Sequence, residues 1–543
     1  MMGLQPRLLG LWFAAWLLSL WPLLGPDLPQ GHDLLFELVR AAEFQRAVDS
    51  GAWRPRWATN LLGGYGYPIF DFFPPLLLSC TAAAASLGLS LSMAYKAALG
   101  LVALAGVAGT ARLGLLVGGP VLQGLLPLLY AASPYAWHDL AVRNAWSEWT
   151  GLQLAPLTLA CGVAVVHQPG IRPVLLFGAV AALQLLAHNL SLLLWLPVWL
   201  GGVAVVLVGR QTAGPTVGSA LGRLVLGSGV ALGLAATFWL PLLAEVSYVG
   251  LQWQDSGPFS AGANLLGLAQ VLTAEWLPMA LVGLSGLVSA VVLAGLQPTR
   301  RGLWLALAGL LGLLLLLPLQ PFAPVWQVVR PLQWLMFPWR LFAPAGLLAA
   351  LACGALAVVW IQTRAHKWLA AVPLVAGLAG WWLLPAAPRA DLVPLAQDVP
   401  AMRRGFATTT VMDEYLPKTV QIQPTVPADE PAASGVPGAV LRCSPPDHRD
   451  VTCSIHLPQA GEVVIRRLWF PGWQVALDGR TLAPRISKRG TPVLELTAGD
   501  HQLAVTLHKT PVQRTADAVS LASLCGLAAG AWWVRRRYSP TPE

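Results

Sequence analysis

The chain has 543 residues, of which 56% are hydrophobic and 11% charged, and its formal net charge is +9. A soluble domain carries about 25% charged residues, and a single core stops growing at about 250–300 residues, so this composition excludes an ordinary soluble protein. The basic residues lie mainly in short connections between apolar runs, where Lys and Arg indicate the orientation of a membrane protein. No basic helix with interleaved aromatic residues indicates nucleic-acid binding, and the composition points to the lipid bilayer as the main partner.

Thirteen apolar runs are candidates for crossing the roughly 30 Å of bilayer hydrocarbon. The positive-inside rule places the basic connections on one side only if one early run does not cross. The run 72–91, which begins Phe-Phe-Pro-Pro and is rich in small residues, is the natural exception, and we expect a re-entrant or interfacial helix there. The sequence then predicts a polytopic α-helical membrane protein of about twelve spans, with both termini cytoplasmic. The runs are 7–25, 72–91, 94–111, 118–137, 149–166, 172–187, 190–208, 224–243, 276–296, 302–318, 341–361, 367–386 and 515–534.

This topology divides the chain into three parts. Residues 1–386 form a transmembrane domain with a first extracytoplasmic loop at 26–93, and residues 515–543 form the last span and a basic cytoplasmic tail. Between them, 387–514 is polar and Pro-rich, and its hydrophobic residues alternate between turn signals, which predicts a small extracytoplasmic β-sandwich. Cys443 and Cys453 flank a Pro-Pro-Asp turn, and in an oxidising compartment we expect a disulfide across a hairpin; two free thiols are the alternative.

The densest set of ionisable residues follows the first apolar run. Asp33, Glu37 and Arg40 are spaced i, i+4, i+7 and share one face of a predicted helix. We expect this helix at the outer membrane interface, with the acidic face lining a cavity. Asp33 stands at the helix start, where backbone N–H groups favour the ionised carboxylate that a general base or cation ligand needs. An ordinary amphipathic helix with a capping Asp explains the same spacing.

The rest of the first loop is rich in aromatic residues and glycine. The Gly-Gly-Tyr-Gly run at 63–66 predicts a tight turn with close backbone approach. Arg54 and Arg56 are basic on the predicted outer side, where they suit a phosphate group or, equally, lipid headgroups. Asp71, in the FDFFPP sequence that follows, is a further candidate supporting residue.

The turn SPYAWHDLAVRNAWSEW carries Asp139, Arg143 and Glu148 at the same predicted face. Asp139 and Arg143 are i, i+4 and can simply pair. Alternatively, a second acidic group close to Asp33 would let a divalent cation bridge the two through hard oxygen ligands. No fixed ligand spacing decides between these alternatives.

Two further ionisable residues border spans. His188 lies between two runs, where a helix-end cap is more common than a catalytic role. Arg340 lies on the predicted outer side and borders an apolar run. It suits a clamp for a phosphate or carboxylate, and a snorkelling anchor is the alternative. No motif of a soluble enzyme class accompanies them.

The order of these features resembles the GT-C superfamily of polyprenyl-phosphate-sugar-dependent glycosyltransferases. The features are a first span, an acidic outer helix, a W-x-P-x-W…GGYGYP…FDFFPP loop, the SPYAWHDLAVRNAWSEW turn, many further spans and a terminal β domain. The chain is similar more closely to bacterial YfhO-like and "6-pyruvoyl-tetrahydropterin synthase-related" membrane proteins. Its C-terminal FPGWQVALDGR…ELTAGDHQLAVTLH, followed by a last span, also resembles the YfhO-like group.

This resemblance implies a bacterial plasma-membrane enzyme that moves a sugar from a polyprenyl-phosphate donor to an extracytoplasmic glycan, lipid or protein acceptor, with inversion. Asp33 matches the catalytic acidic position of the first loop and would deprotonate the acceptor. Asp139 or Glu148 matches the second-loop acidic position of some relatives, but the missing Asp-x-Asp leaves a requirement for Mg²⁺ or Mn²⁺ open. A transporter or flippase of lipid-linked precursors and a non-catalytic scaffold for envelope glycan assembly are the alternatives.

Overall fold

The computed structural model describes residues 6–208, 216–250, 257–363, 388–405, 408–410, 413–445 and 449–538. They form a mostly helical body with small antiparallel sheets near the C-terminal end of the chain. Seven of the described helices are long and apolar enough to cross a membrane, by length and composition. The predicted run 367–386 lies outside the described residues, and the number of spans stays a prediction.

Helices follow the apolar runs because a segment in lipid must satisfy its backbone N–H and C=O groups internally. One π-helical turn, His138–Arg143, interrupts the series. The α-helices are α1 Pro6–Ser19, α2 Leu34–Asp49, α3 Ile69–Phe72, α4 Pro75–Ser86, α5 Leu91–Ala131, α6 Pro134–Trp137, α7 Trp146–His167, α8 Ile171–Ala187, α9 Ser191–Val208, α10 Val217–Leu234, α11 Ala236–Glu245, α12 Leu268–Val271, α13 Leu277–Leu296, α14 Arg301–Leu316, α15 Ala323–Val328, α16 Arg330–Gln333, α17 Phe342–Thr363, α18 Val393–Gln397, α19 Val399–Arg404 and α20 Pro511–Tyr538.

Helix α5 contains two of the predicted runs and reverses direction between them. Its backbone breaks at Gly119, which has φ 74° and ψ −163°, a conformation open mainly to glycine. A Cβ atom on Gly114 would lie 2.5 Å from the carbonyl oxygen of Leu122, a contact that eight residues of straight helix cannot make. The two runs therefore pack against each other as a helical hairpin.

Two other helices show how predicted runs translate into structure. Helix α4 has 12 residues, which span about 18 Å and fall short of the hydrocarbon thickness. The expectation that this run is re-entrant or interfacial stays a prediction, since α1 is similarly short. The predicted run 224–243 is divided at Ala235 into α10 and α11, with Pro241 inside the second helix.

The strands near the C-terminus form two antiparallel sheets, one of four and one of five strands. Burial alternates strictly along β5 because successive side chains point to opposite faces. Cys443 and Cys453 are register partners on β4 and β5 and are joined by a disulfide. The strands are β1 Leu28–Pro29, β2 Arg389–Ala390, β3 Ala432–Ser434, β4 Val440–Cys443, β5 Val451–Leu457, β6 Gly461–Ile465, β7 Trp473–Leu477, β8 Arg480–Leu482, β9 Arg485–Ile486, β10 Pro492–Leu496 and β11 Gly499–Leu507.

The β sheets share one hydrophobic core with the first loop. The Trp57 and Trp473 rings meet edge to face at 5.3 Å between centroids. Gly66 has φ 69°, and a Cβ atom there would lie 2.4 Å from Trp57 Nε1, which is the close approach expected of the glycine-rich turn. Leu468 N–H donates to the Tyr65 carbonyl at 3.1 Å and ties the sheets to that turn. We call the part of the chain that forms these two sheets, residues 432–507, the β unit. The β unit is therefore packed onto the loop 26–93.

The predicted β domain is not β-structured over its whole length. The sheets occupy 432–507, whereas the stretch before them contains β2, α18 and α19. Strand β2 pairs antiparallel with β1, and the Arg403 Nη2 group donates to Asn60 Oδ1 at 2.6 Å. The predicted β-sandwich therefore covers only the later part of 387–514, because residues 388–405 pair with the first loop rather than with the sheets.

Candidate functional site

The segment before α2 lies against the turn that follows α6. Asp33 N–H donates to the Arg143 carbonyl at 2.9 Å, and Gly31 N–H donates to Asn144 Oδ1 at 2.5 Å. A Cβ atom on Gly31 would lie 2.3 Å from the carbonyl oxygen of Val142, so a larger residue there would require the backbone to move. These contacts fix Asp33 at the start of α2 beside the second polar turn.

Asp33 occupies the N-cap position of α2, but its side chain makes no capping hydrogen bond. The residue is half-buried. Within the described part of the chain, its carboxylate has neither an ion pair nor a hydrogen bond. Backbone N–H groups at the start of a helix favour negative charge. Asp33 is therefore a positioned, half-buried carboxylate without a partner in the described part of the chain.

Beside Asp33 lies a charged cluster, which we define as Asp139, Arg143, Glu148 and Arg340. Glu148 Oε2 accepts from Arg143 Nη1 and from Arg340 Nε, each at 3.0 Å, and Arg143 Nη1 also donates to Asp139 Oδ1. Tyr135 donates its hydroxyl to Glu148 Oε1 at 2.6 Å. Each of the four charged residues is less than one tenth exposed. Two buried carboxylates thus face two buried guanidiniums.

Asp33 is within electrostatic reach of this cluster. Burial raises the pKa of Asp139 well above its usual range, and the nearby Glu148 carboxylate raises it further. Arg143 and Arg340 oppose this rise in the pKa, while the Asp33 carboxylate adds to it. The structure therefore brings Asp33, Asp139, Arg143, Glu148 and Arg340, all predicted site residues, into one region.

The carboxylates do not fit a bound Mg²⁺ or Mn²⁺. Such ions prefer several hard oxygen ligands, but Glu148 accepts from two guanidiniums and a tyrosine, and Asp139 Oδ1 accepts from Arg143. Asp139 Oδ2 is buried without a hydrogen-bond partner among the described residues, and one such oxygen is too few for these ions. In the described part of the chain, no three His, Cys, Asp or Glu side chains converge as a metal site. Asp139 and Glu148 are therefore paired with arginine, whereas the Asp33 carboxylate has no partner in the described part of the chain.

A histidine–glutamate pair borders the cluster and was not predicted as part of the site. His138 Nε2 lies 3.1 Å from Glu275 Oε1, and the His138 ring packs beside the rings of Trp276 and Trp339. Glu275 directly precedes a predicted apolar run. Acidic residues are favoured at the start of a helix. The position of Glu275 just before an apolar run could therefore have marked it as a helix-start residue in the sequence.

We expect the His138–Glu275 pair to make stability fall with decreasing pH. Burial lowers the pKa of His138, although the hydrogen bond to Glu275 opposes this, and Arg143 and His32 lower the pKa further. Below about pH 6.5 the unfolded chain then binds a proton that the folded chain resists, which costs up to about 1.4 kcal/mol per pH unit. The contact with His138 lowers the pKa of Glu275, and the contribution of Glu275 to stability is lost only below about pH 4.5.

The measurement is thermal unfolding in detergent between pH 7 and pH 5. The melting temperature should depend less on pH in His138→Gln than in the wild type, and equal dependence in the two proteins would contradict this expectation.

The rest of the acidic face of α2 does not line a cavity. Glu37 Oε1 accepts from Arg40 Nη2 at 2.8 Å, and Tyr95 donates its hydroxyl to the Glu37 carbonyl at 2.7 Å. Arg40 Nη1 donates to the Thr409 carbonyl at 2.6 Å. Both Glu37 and Arg40 are buried. The predicted open face was wrong because α5 and the segment around Thr409 cover it.

The two residues predicted at span borders are both buried. His188 packs against Gly151 of α7, and its Nδ1 lies 3.4 Å from Ser191 Oγ. Gly151 lies one helical turn after Glu148, so His188 is next to the charged cluster. Burial of Arg340 excludes the snorkelling alternative, and its carboxylate partner is the protein's own Glu148.

The remaining predicted residues lie at the other end of α2. Arg56 bonds Asp71 Oδ1 through Nη1 at 2.7 Å and Asp517 Oδ1 through Nη2 at 2.9 Å. Gln513 Nε2 donates to Asp71 Oδ2 at 3.0 Å. Arg56 is thus engaged by the protein's own carboxylates, and Asp71 is its buried counter-ion. Arg54 stands in the same region, apart from Asp33.

No family model matches the chain, and no curated protein matches it. Among solved structures it is similar to the arabinofuranosyltransferase AftD from Mycobacteria, at 18% identity and a TM-score of 0.44, over 73% of this chain and 27% of AftD. It is also similar to ArnT from Cupriavidus metallidurans bound to undecaprenyl phosphate, at 18% identity and a TM-score of 0.38, over 74% of this chain and 75% of ArnT. A third is the apo oligosaccharyltransferase of Archaeoglobus fulgidus, at 12% identity and a TM-score of 0.40, over 70% of this chain and 56% of that one. The chain spans about a quarter of the length of AftD. The chemistry of the site is therefore inferred from its own residues.

Proposed function

We propose that this chain is a membrane glycosyltransferase of the GT-C type, which moves a sugar from a polyprenyl-phosphate-linked donor to an extracytoplasmic hydroxyl acceptor. The observation that carries the proposal is the Asp33 carboxylate, which is positioned, half-buried and unpaired within the described residues, while the neighbouring acidic groups are neutralised by arginine. An uncommitted carboxylate at a fixed position is what a general base requires. The resemblance of the sequence to the GT-C superfamily supports the same class.

In the proposed reaction, the Asp33 carboxylate accepts the proton of the acceptor hydroxyl. The acceptor oxygen then forms a bond to C1 of the donor sugar. The bond from C1 to the phosphate oxygen breaks, and the lipid phosphate leaves with the electron pair. Attack opposite the leaving group inverts C1. Arg143 and Arg340, which Asp139 and Glu148 hold beside Asp33, are the guanidiniums that would donate hydrogen bonds to the departing phosphate.

We further infer that this site faces away from the cytosol in a bacterial plasma membrane. The segments predicted to lie outside contact one another, which supports a common side: Gln30 N–H donates to the Pro388 carbonyl at 2.7 Å, and Gly250 N–H donates to the Leu416 carbonyl at 2.7 Å. On this orientation the β unit is extracytoplasmic, between the transmembrane domain and the final span. Both termini then lie in the cytoplasm.

The proposed activity is tested by comparing glycolipid and cell-wall glycan profiles with and without the protein, and by transfer from a labelled polyprenyl-phosphate sugar to an envelope glycan in proteoliposomes. We expect one glycan product to disappear without the protein and the purified chain to form it from the labelled donor. Movement of the donor between leaflets without product would instead indicate a flippase. A missing glycan without transfer by the purified chain would indicate a scaffold.

A further inference from the structure

A cleft of about 720 Å³ opens where the first loop, the β unit and the start of α20 meet. Its walls include Trp53 and Arg54 of the loop, Arg449 and Phe470 of the β unit, and Gln513 of α20. Ligand pockets in proteins commonly have volumes of about 300–1,000 Å³. The cleft is thus large enough for a sugar or a lipid headgroup.

The cleft lies away from Asp33. Helix α2 has 16 residues and is therefore about 24 Å long, with Asp33 before its first turn. The cleft is lined by Glu43 and Asp49 near the other end of this helix and by the residues that follow it. A ligand bound there would occupy a second site, separate from the proposed general base.

Five Lys or Arg side chains line this cleft, and four of them have carboxylate partners in the described part of the chain. Arg54 has none. The partnered pairs are Arg46–Glu43, Arg56–Asp71, Arg449–Asp450 and Lys509–Asp517.

Arg54 is nevertheless buried, with 8% of its surface exposed. Its Nη1 group donates to the Pro55 carbonyl at 2.9 Å, whereas Nε and Nη2 have no hydrogen-bond partner among the described residues. Burial and the nearby Arg56 lower the pKa of Arg54 to about 10, which leaves the guanidinium protonated at neutral pH. A buried unpaired cation is unfavourable, and a bound anion would offset this cost.

We propose that this cleft is a phosphate-binding site in which the Arg54 guanidinium is the principal anion ligand. A guanidinium edge matches two phosphate oxygens. The phosphate could belong to a membrane lipid headgroup, since the apolar helix α20 begins at the cleft, or to a soluble phosphate compound. The shared chemistry is recognition of a phosphate oxyanion, and the site does not depend on the proposed glycosyl transfer.

The test is thermal unfolding of the purified full chain in a phosphate-free maltoside detergent. The probes are inorganic phosphate, phosphatidylglycerol, and chloride at matched ionic strength. We expect phosphate or phosphatidylglycerol, but not chloride, to raise the melting temperature of the wild type. A shift with inorganic phosphate indicates a soluble source, whereas a shift with phosphatidylglycerol alone indicates a headgroup. Arg54→Gln should weaken this binding about tenfold or more, because a charge-assisted hydrogen bond is lost.

The matched control is Arg485→Gln, which removes an arginine outside the cleft that pairs with Glu462. We expect this variant to keep the wild-type shift in melting temperature.

Without ligand, Arg54→Gln should melt at or above the wild-type temperature, because a buried unpaired charge is removed. A lower melting temperature would mark Arg54 as structural and overturn the proposal. If Arg54→Gln cannot be purified, ³¹P line broadening of inorganic phosphate and of phosphatidylglycerol by the wild type provides the second measurement. The absence of any wild-type interaction with either phosphate probe would also overturn it.

Discussion

Replacing Asp33 with Asn should reduce glycosyl transfer by about 10²- to 10⁴-fold, the usual contribution of a general base. The loss is expected in kcat, because Asn cannot accept the acceptor proton. Stability should change by less than about 0.5 kcal/mol, since Asn is as good an N-cap residue as Asp and the carboxylate has no partner in the described part of the chain. Transfer of a labelled sugar in proteoliposomes measures the first effect, and thermal unfolding measures the second.

The matched control for this variant is Asp391→Asn, the same change outside both the charged cluster and the cleft. Asp391 is exposed, and its Oδ1 accepts a hydrogen bond from the Val393 N–H at 3.2 Å. We expect it to transfer sugar at the wild-type rate. If Asp33→Asn also retained full transfer, the base would have to be another group, and the proposed role of Asp33 would be wrong.

Replacing Glu148 with Gln should destabilise the protein by about 3–5 kcal/mol, the usual cost of removing one partner from a buried ion pair. The change leaves Arg143 and Arg340 facing each other with the Asp139 carboxylate as their remaining counter-charge in the cluster. Tyr135 also loses the ionised acceptor of its hydroxyl. Thermal unfolding of the full chain in detergent measures this loss.

The matched control is Glu462→Gln, which removes the same charge from the exposed pair with Arg485. Exposed pairs contribute about 0–1 kcal/mol, so this variant should unfold close to the wild type. In a double-mutant cycle, Glu148→Gln with Arg340→Gln should cost less than the sum of the single changes, because the charges balance again. Equal stability of the Glu148 and Glu462 variants would show that the cluster does not hold the loops together.

Local features could be predicted from the sequence because they depend on neighbouring residues. Helices such as α7 and α17 follow apolar runs, and the alternation along β5 follows the alternating sequence of Val451–Leu457. The Cys443–Cys453 disulfide lies across a short hairpin, and the Asp139–Arg143 pair is one helical turn apart. In each case the chain itself brings the partners together.

The sequence by itself determined that the chain has many apolar helices and an alternating β segment, since hydrophobic periodicity is a local property. Only the tertiary structure decided which charges remain available. Glu148 pairs with Arg340, 192 residues away, and Arg56 pairs with Asp517, 461 residues away, while Asp33 and Arg54 have no carboxylate or guanidinium partner among the described residues. The physical reason is that neutralising a buried charge depends on which distant segments pack against it, and spacing along the chain does not contain that information.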